Sequence, residues 1–218
     1  MRRIGKITSG ASGVPRRLVQ LYVGLICYGF GGAFQVRSRL GLSPWDVFHQ
    51  GIARRVHVSL GLVVIAVGVV VLLAWIPLRQ RPGLGTVSNV VVLGLALDAG
   101  LAGLAAPHPL WSRIGFLVVG IVLTGVASGM YIAADFGPGP RDGLMTGLAL
   151  RTGRSIRLTR TAIEITVLVI GWSLGGTLGV GTVVFAMSIG PLTQLFLRVF
   201  AIRRPLDIDL AEYPVQVD

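Results

Sequence analysis

The chain has 218 residues, of which 53% are hydrophobic and only 13% are charged, and its mean hydropathy is +0.76. Soluble domains carry about 25% charged residues, so this composition excludes an ordinary soluble domain, and the apolar content excludes a disordered chain. The net charge of +11 comes from arginines that cluster where apolar runs stop. That distribution argues against nucleic-acid binding and favours a charge bias between two sides of a membrane.

Six apolar segments follow one another along the chain, each close to the roughly 20 residues that cross the hydrocarbon layer as a helix. The fifth is short at its apolar core and begins with polar residues. The sequence therefore predicts an all-α, polytopic membrane helix bundle. Its predicted spans are 18–36, 58–78, 85–105, 113–134, 161–177 and 179–200.

The segments outside the spans predict the orientation. Residues 1–17 form a basic tail, 106–112 a connecting loop and 201–218 a C-terminal tail. If the amino terminus is cytoplasmic, fifteen Lys and Arg residues fall on the cytoplasmic side and five on the other. The positive-inside rule then places both termini in the cytoplasm.

The two halves of the chain repeat each other. Residues 18–101 align with 114–197 at a constant offset of 96, without a gap and with 22 identities in 84 pairs. We call positions 96 residues apart equivalent. The shared residues include Gly41, Pro44, Asp46 and Gly51 against Gly137, Pro140, Asp142 and Gly147, and Gly83, Gly85 and Thr86 against Gly179, Gly181 and Thr182.

Each repeat, 18–105 and 113–200, contains three predicted spans. Because three is odd, the second repeat enters the membrane from the opposite side, which is the three-plus-three inverted-topology plan of many transporters. If the polar segment 44–56 also crossed, each repeat would have four spans and the repeats would be parallel. The charges in that segment make such a crossing costly, so the inverted arrangement is favoured.

A Pro-x-Asp motif begins a short polar helix in each repeat. Pro44 and Pro140 suit the first helical position, where the missing N–H is not needed, and the acidic residue two positions later suits the positive helix end. Ser43 is a good N-cap. Two interpretations stay open: these are interfacial helices joining two spans, or half-helices whose N-termini face a central site.

The second interpretation makes five residues candidates for binding a small molecule or ion. Arg141 offers a fork of donors for a carboxylate or phosphate, whereas the two Asp residues would suit a cation or a proton, so the sign of the ligand stays open. Glu164, inside the fifth span, is either a gate and proton carrier or the partner of Arg160 in a salt bridge. The candidates are Ser43, Asp46, Arg141, Asp142 and Glu164.

Small residues four positions apart recur at the same place in both repeats. They are Gly29 and Ala33 in the first, and Gly125 and Gly129 in the second. Such pairs let membrane helices approach closely. We expect a packing role, with the two helices contacting each other or a symmetry-related partner.

Signals for an enzyme are missing. The sequence has no P-loop, dinucleotide-binding glycine motif or H-E-x-x-H motif. Cys27 is the single cysteine, and the three histidines are scattered. We therefore predict no catalytic residue, no cofactor and no metal site.

Three motifs carry a resemblance to a known family. They are Gly-Leu-Ser-Pro-Trp-Asp-Val-Phe-His-Gln-Gly at 41–51, its counterpart Gly-Pro-Gly-Pro-Arg-Asp-Gly-Leu from position 137, and the Gly-Leu-Gly-Thr turn. With these motifs the chain resembles the YczE/YyaS/YitT-type bacterial membrane proteins. The resemblance covers about 18–200. It implies an integral protein of the bacterial inner (plasma) membrane, and it supplies no reaction and no site residues.

The sequence favours a small-solute transporter or permease whose site lies between the two Pro-x-Asp helices. The expected partners are the lipid bilayer and a small molecule or ion, with a homodimer as a further expectation. The alternative is a non-transporting accessory or assembly protein that binds a partner protein or lipid. A lipid-handling protein would show a lateral opening lined by Arg141 and Arg160.

Overall fold

The computed structural model describes residues 13–201. Residues 1–12 of the predicted basic tail and 202–218 of the predicted C-terminal tail lie outside the described residues. The described chain is all-α, as predicted, and has no strand. Its helices are α1 Gly13–Ser38, α2 Pro44–Val56, α3 Leu60–Leu78, α4 Leu84–Gly103, α5 Leu110–Ala133, α6 Pro140–Thr152, α7 Ile156–Ser173 and α8 Val180–Phe200.

Within the described residues, five helices are long and apolar enough to cross a membrane: α1, α3, α4, α5 and α8. The predicted span 161–177 corresponds to α7, which ends at Ser173 and carries Arg157, Arg160 and Glu164. These charges set α7 apart from the other long helices, so the sixth span stays a prediction. Helix α1 begins at Gly13, inside the segment predicted as a tail.

Hydroxyl side chains at equivalent positions begin helices in both repeats. Ser59 and Ser155 each accept the backbone N–H of the third residue after them, at 3.3 Å. Thr86 and Thr182 each accept the N–H of the residue before their helix, at 3.1 and 3.4 Å. The serines supply acceptors for N–H groups that lack one inside the helix, so these helix starts are set by local sequence.

Helices α1 and α5 form the centre of the bundle and pack against each other. A Cβ atom added at Gly24 would lie 3.2 Å from the Ala127 carbonyl oxygen, and one added at Gly120 would lie 2.8 Å from the Gly31 carbonyl oxygen. Gly24 is equivalent to Gly120, and Gly31 to Ala127. The two helices therefore contact each other reciprocally, through backbones that approach too closely for larger side chains.

The same reciprocity occurs in the loops. The Gly85 N–H donates to the Phe136 carbonyl at 2.8 Å, and the Gly181 N–H donates to the Leu40 carbonyl at 2.8 Å. These are equivalent bonds. The residue after each carbonyl is a glycine in the left-handed region, Gly137 with φ of 112° and Gly41 with φ of 125°. Each repeat thus holds the start of the other repeat's last helix.

The two short helices pack on the opposite repeat: α2 on α7, and α6 on α3. A Cβ at Gly143 would lie 2.0 Å from Trp75 Cζ2, and one at Gly171 would lie 2.4 Å from the Phe48 backbone nitrogen. The Trp75 indole N–H donates to the Pro140 carbonyl at 3.1 Å. The start of α6 is thereby anchored to the first repeat.

The small residues predicted to pack lie against the last helix of their own repeat. Gly29 and Ala33 face α4, and Gly125 and Gly129 face α8. A Cβ at Gly29 would lie 2.6 Å from the Ala96 Cβ. The contact between α1 and α5 uses other glycines.

The two repeats differ at one interface. In the first, α3 packs along α4, and a Cβ at Gly94 would lie 2.6 Å from the Gly61 carbonyl oxygen. In the second, α7 and α8, both within the described residues, do not pack along each other. A Cβ at Gly190, equivalent to Gly94, would have nothing within 4 Å. A cleft therefore separates α7 from α8.

Candidate functional site

The first turns of α2 and α6 border one cavity of about 370 Å³. Pro44 is the first residue of α2 and Pro140 the first of α6. Ser43 caps α2, because its Oγ accepts the Asp46 N–H at 3.2 Å, whereas Gly139 precedes α6 without a side-chain cap. Backbone N–H groups at helix starts lack intrahelical acceptors, so both ends are suited to binding acceptor atoms.

The cavity is lined by residues from every described helix except α3. Its volume lies within the range of small-molecule sites, roughly 300–1,000 Å³. Four of the five candidate residues line it, and the fifth, Asp46, lies behind the wall. The polar side chains that line it include Tyr28, Ser43, Tyr131, Arg141, Asp142, Arg160 and Glu164.

Asp46 is surrounded by polar groups. The Ser43 hydroxyl donates to its Oδ2 at 2.5 Å, and its Oδ1 lies 3.4 Å from His49 Nδ1 and 3.8 Å from Arg141 Nη2. Burial acts to raise the pKa of this carboxyl, but His49, Arg141 and Ser43 together hold its pKa below the ordinary value. Asp46 is therefore a carboxylate at neutral pH.

His49 lies one helical turn after Asp46 and is fully buried. Burial lowers the pKa of its imidazole; the Asp46 carboxylate opposes this shift and the Arg141 cation adds to it, leaving the pKa below its ordinary value. Its Nδ1 lies 3.4 Å from Asp46 Oδ1, and through this contact His49 lowers the pKa of the Asp46 carboxyl.

Arg141 and Trp45 occupy equivalent positions and contact each other. The guanidinium carbon of Arg141 lies 5.0 Å from the centroid of the Trp45 ring, a cation–π geometry. Trp45 is only 6% exposed, and its indole N–H has no acceptor within residues 13–201. The starts of α2 and α6 therefore meet at this point, beside a buried donor that lacks an acceptor.

Asp142 is held from α5. The Tyr131 hydroxyl donates to Asp142 Oδ2 at 3.1 Å, and the Tyr28 ring lies edge-on to Tyr131 with centroids 6.2 Å apart. The position equivalent to Tyr131 is Gln35, which donates to Thr124 Oγ1 at 3.0 Å instead. The two repeats thus use one position for different bonds, and only Tyr131 borders the cavity.

Arg160 and Glu164 form an ion pair on the α7 side of the cavity. Arg160 Nε donates to Glu164 Oε1 at 2.9 Å, across one helical turn, and the two side chains remain 54% and 32% exposed. Both predicted roles of Glu164 fit this position, since it lines the cavity and pairs with Arg160. The pair stands at the edge of the cleft between α7 and α8.

Trp45, His49 and Tyr131 were not among the candidate site residues. Aromatic residues near span ends are typical of the membrane interface, and the three histidines are scattered along the sequence. Trp45, His49 and Tyr131 are nevertheless buried. One signal could have found Trp45. It differs from its equivalent Arg141, whereas the flanking Pro44 and Asp46 match Pro140 and Asp142.

The arrangement is suited to binding. Two arginines and two carboxylates line the cavity, so its formal charges balance. In residues 13–201, no group of three or more His, Cys, Asp or Glu side chains could hold a metal ion. The groups present are donors and acceptors for a polar molecule.

Five long apolar helices within residues 13–201 define a multi-pass integral membrane protein. The chain belongs to DUF6198, a family of unknown function whose model matches residues 15–198. Over 196 residues it is 33% identical to the "uncharacterized membrane protein YczE" of Bacillus subtilis, covering 89% of this chain and 88% of that protein.

Two further relatives match most of the chain. An "uncharacterized protein" of Haemophilus influenzae is 41% identical over 181 residues, which is 83% of each protein. The "uncharacterized protein YyaS" of Bacillus subtilis is 24% identical over 181 residues, or 81% of this chain and 90% of that protein. The predicted relationship to YczE and YyaS is confirmed. No solved structure matches the chain.

Proposed function

We propose that this protein is a small transporter or permease that binds its solute between the starts of α2 and α6. The observation that carries the proposal is the position of Arg141. It lies over its equivalent residue Trp45 and 3.8 Å from Asp46, at the wall of a cavity of about 370 Å³. Transporters built from inverted repeats bind substrate at such a repeat interface, near the bilayer midplane.

In this proposal α7 is the fifth of six spans, and the spans form a three-plus-three inverted repeat in the bacterial inner membrane with both termini cytoplasmic. The reciprocal contacts support it, because two units related by a twofold axis exchange equivalent contacts. An odd number of crossings brings α2 and α6 in from opposite leaflets. Their N-termini then converge near the middle of the membrane.

The topology has a direct test at Val58 and Arg154, which are equivalent, exposed and outside the helices. In a Cys27→Ser background, we expect a membrane-impermeant maleimide to label Val58→Cys in intact cells. Arg154→Cys should react only after permeabilisation. Labelling of both from one side would contradict the inverted repeat.

The solute that best fits the donors carries an acceptor group such as a carboxylate or phosphate. The Trp45 indole N–H lacks an acceptor, and Arg141 presents a guanidinium beside it. Asp46 holds Arg141 in place from behind the wall, since its own Oδ2 is already bonded to Ser43. Asp142 and Glu164 would receive any donor groups of the solute.

A thermal-shift panel of acetate, succinate, glutamate and inorganic phosphate, followed by counterflow of the strongest binder in proteoliposomes, tests this function. Arg141→Gln should weaken binding about tenfold or more, because it removes charge-assisted hydrogen bonds. Asp142→Asn should reduce counterflow of a solute that also carries an amine. Arg154→Gln, which removes an exposed arginine that does not line the cavity, is the matched control.

Failure of all four compounds, together with copurification of a partner protein, would replace transport by the accessory function. If the partner protein also copurified with the Arg141→Gln variant, the cavity would take no part in partner binding. Loss of binding in the Arg154→Gln control would also contradict the assigned site.

A further inference from the structure

The ring of packed helices around the cavity is open at one place. Helix α4 packs on α1, α1 on α5 and α5 on α8; on the other side α3 packs on α4, and the short helices join α3 to α7. Within residues 13–201, the ring lacks only a packed contact between α7 and α8. The cavity, lined from both helices, therefore opens sideways between them.

Glycines close the corresponding place in the first repeat. A Cβ at Gly61 would lie 2.1 Å from the Gly94 carbonyl oxygen, and one at Gly68 would lie 2.9 Å from a side chain of α4. The equivalent residues of α7 are Arg157 and Glu164. Large charged side chains thus stand where close helix packing needs glycine.

At a third position, too, a residue packed in the first repeat is replaced by a charged residue in the second. Val64 is buried in the contact between α3 and α4, and its equivalent in α7 is Arg160, which is largely exposed. Helix α8 differs in the same way: Asp98 of α4 accepts the Gly61 N–H at 2.7 Å, whereas its equivalent Gln194 is exposed and lines the cavity. The duplicated interface is closed and apolar in one copy, open and polar in the other.

The rim of the cleft is apolar although its interior is charged. On α8, Val183 and Met187 are exposed and do not line the cavity, whereas Ala186 and Gly190 do. Charged groups facing hydrocarbon are costly, so Arg160 and Glu164 need water or a polar headgroup beside them. An apolar rim around a charged interior matches the two parts of an amphiphile.

We propose that the cleft between α7 and α8 is a lateral portal through which an amphiphile with an anionic headgroup reaches the cavity from the bilayer. Arg160 and Arg141 hold the headgroup, and the acyl chain stays along the apolar rim because a cavity of about 370 Å³ has room for the headgroup alone. An anion is favoured because the two lining carboxylates already accept hydrogen bonds, Asp142 from Tyr131 and Glu164 from Arg160, whereas a guanidinium carries five N–H donors. The inference rests on the proposed central site and names its substrate class.

The portal is tested with purified full-length protein in an uncharged detergent, titrated with lysophosphatidylglycerol and measured by native mass spectrometry. We expect binding to the unaltered protein, about tenfold weaker binding to Arg160→Gln, and loss of binding to Gly190→Trp, whose side chain would fill the open cleft. Leu195→Trp adds the same bulk at an exposed position of α8 that belongs neither to the cavity lining nor to the rim, and should bind normally. A diazirine on the acyl chain should crosslink to peptides of α7 and α8, which keeps the test independent of the folding of Gly190→Trp.

Two comparison compounds separate the routes of access. Glycerol 3-phosphate has the charge without the chain, and monoacylglycerol has the chain without the charge; both should bind weakly. If glycerol 3-phosphate binds as well as the amphiphile and Gly190→Trp does not affect it, the solute arrives from water. That result overturns the portal and leaves the proposed solute site intact.

No binding of lysophosphatidylglycerol would also overturn the portal, while the anion panel and counterflow decide on the central site separately. If α8 crosslinked to α8 of a second copy in place of lipid, a dimer would cover the cleft. That result would also overturn the portal.

Discussion

Gly94→Ala is expected to destabilise the protein, whereas Gly190→Ala at the equivalent position is expected to leave its stability unchanged or raise it. The Cβ at position 94 would lie 2.6 Å from the Gly61 carbonyl oxygen and 2.6 Å from Ile65 Cγ1. A backbone oxygen cannot move without separating α3 from α4. Overpacking of this kind costs about 1–3 kcal/mol.

At Gly190 a new Cβ meets nothing within 4 Å apart from its chain neighbours, so no other helix opposes the substitution. Replacing glycine by alanine inside a helix favours the folded state by roughly 0.5–1 kcal/mol, and Pro191 offsets part of this gain because a Cβ before proline is crowded in a helix. Unfolding of both variants in one mixed-detergent titration gives the comparison directly. Equal losses of stability would show that α7 and α8 pack as closely as α3 and α4, which would remove the cleft.

Arg141→Gln is expected to destabilise the protein through the charge that it leaves behind. The Asp46 carboxylate, with a side chain only 15% exposed, would lose the cation that stands 3.8 Å away. Breaking a fully buried ion pair costs about 3–5 kcal/mol. Because the Arg141 and Asp46 side chains remain 23% and 15% exposed, a loss of about 1–3 kcal/mol is expected.

A double-mutant cycle separates this pair from general damage. Asp46→Asn in the Arg141→Gln background removes the unpaired charge, so the double variant should be more stable than the sum of the two single changes predicts. Additive losses would show that the contact contributes nothing. Arg154→Gln again supplies the control for losing an exposed arginine.

The pH dependence of stability has a definite sign. Since the folded protein holds the pKa of Asp46 below its ordinary value, the ionised carboxyl stabilises the fold above the ordinary pKa of an aspartate, and this contribution is lost as the pH falls through the lowered value. Removing Arg141 takes away one cause of the lowering. Arg141→Gln should therefore lose less stability on acidification than the unaltered protein.

Local sequence was enough to predict an all-α membrane protein, but not every helix start, because α1 and α7 begin at Gly13 and Ile156, each five residues before the predicted span. Proline at the first helical position and aspartate in the first turn act within a few residues, so α2 and α6 could be predicted from Pro44 and Pro140. The repeat could be recognised because glycines, prolines and two aspartates recur at the constant offset of 96, which shared apolar composition alone does not explain. The membrane location follows from apolar length, which the bilayer thickness sets.

The tertiary structure decided which of those residues meet. Nothing in the pattern around Trp45 or Arg141 says that they stack on each other, because the contact depends on how two helices almost a hundred residues apart approach. The same holds for Tyr131 with Asp142, and for the cleft, where equivalent sequence positions have opposite surroundings. Propensity, capping and hydrophobic length are properties of short segments, whereas the cavity arises from the fit between helix surfaces that only the folded chain brings together.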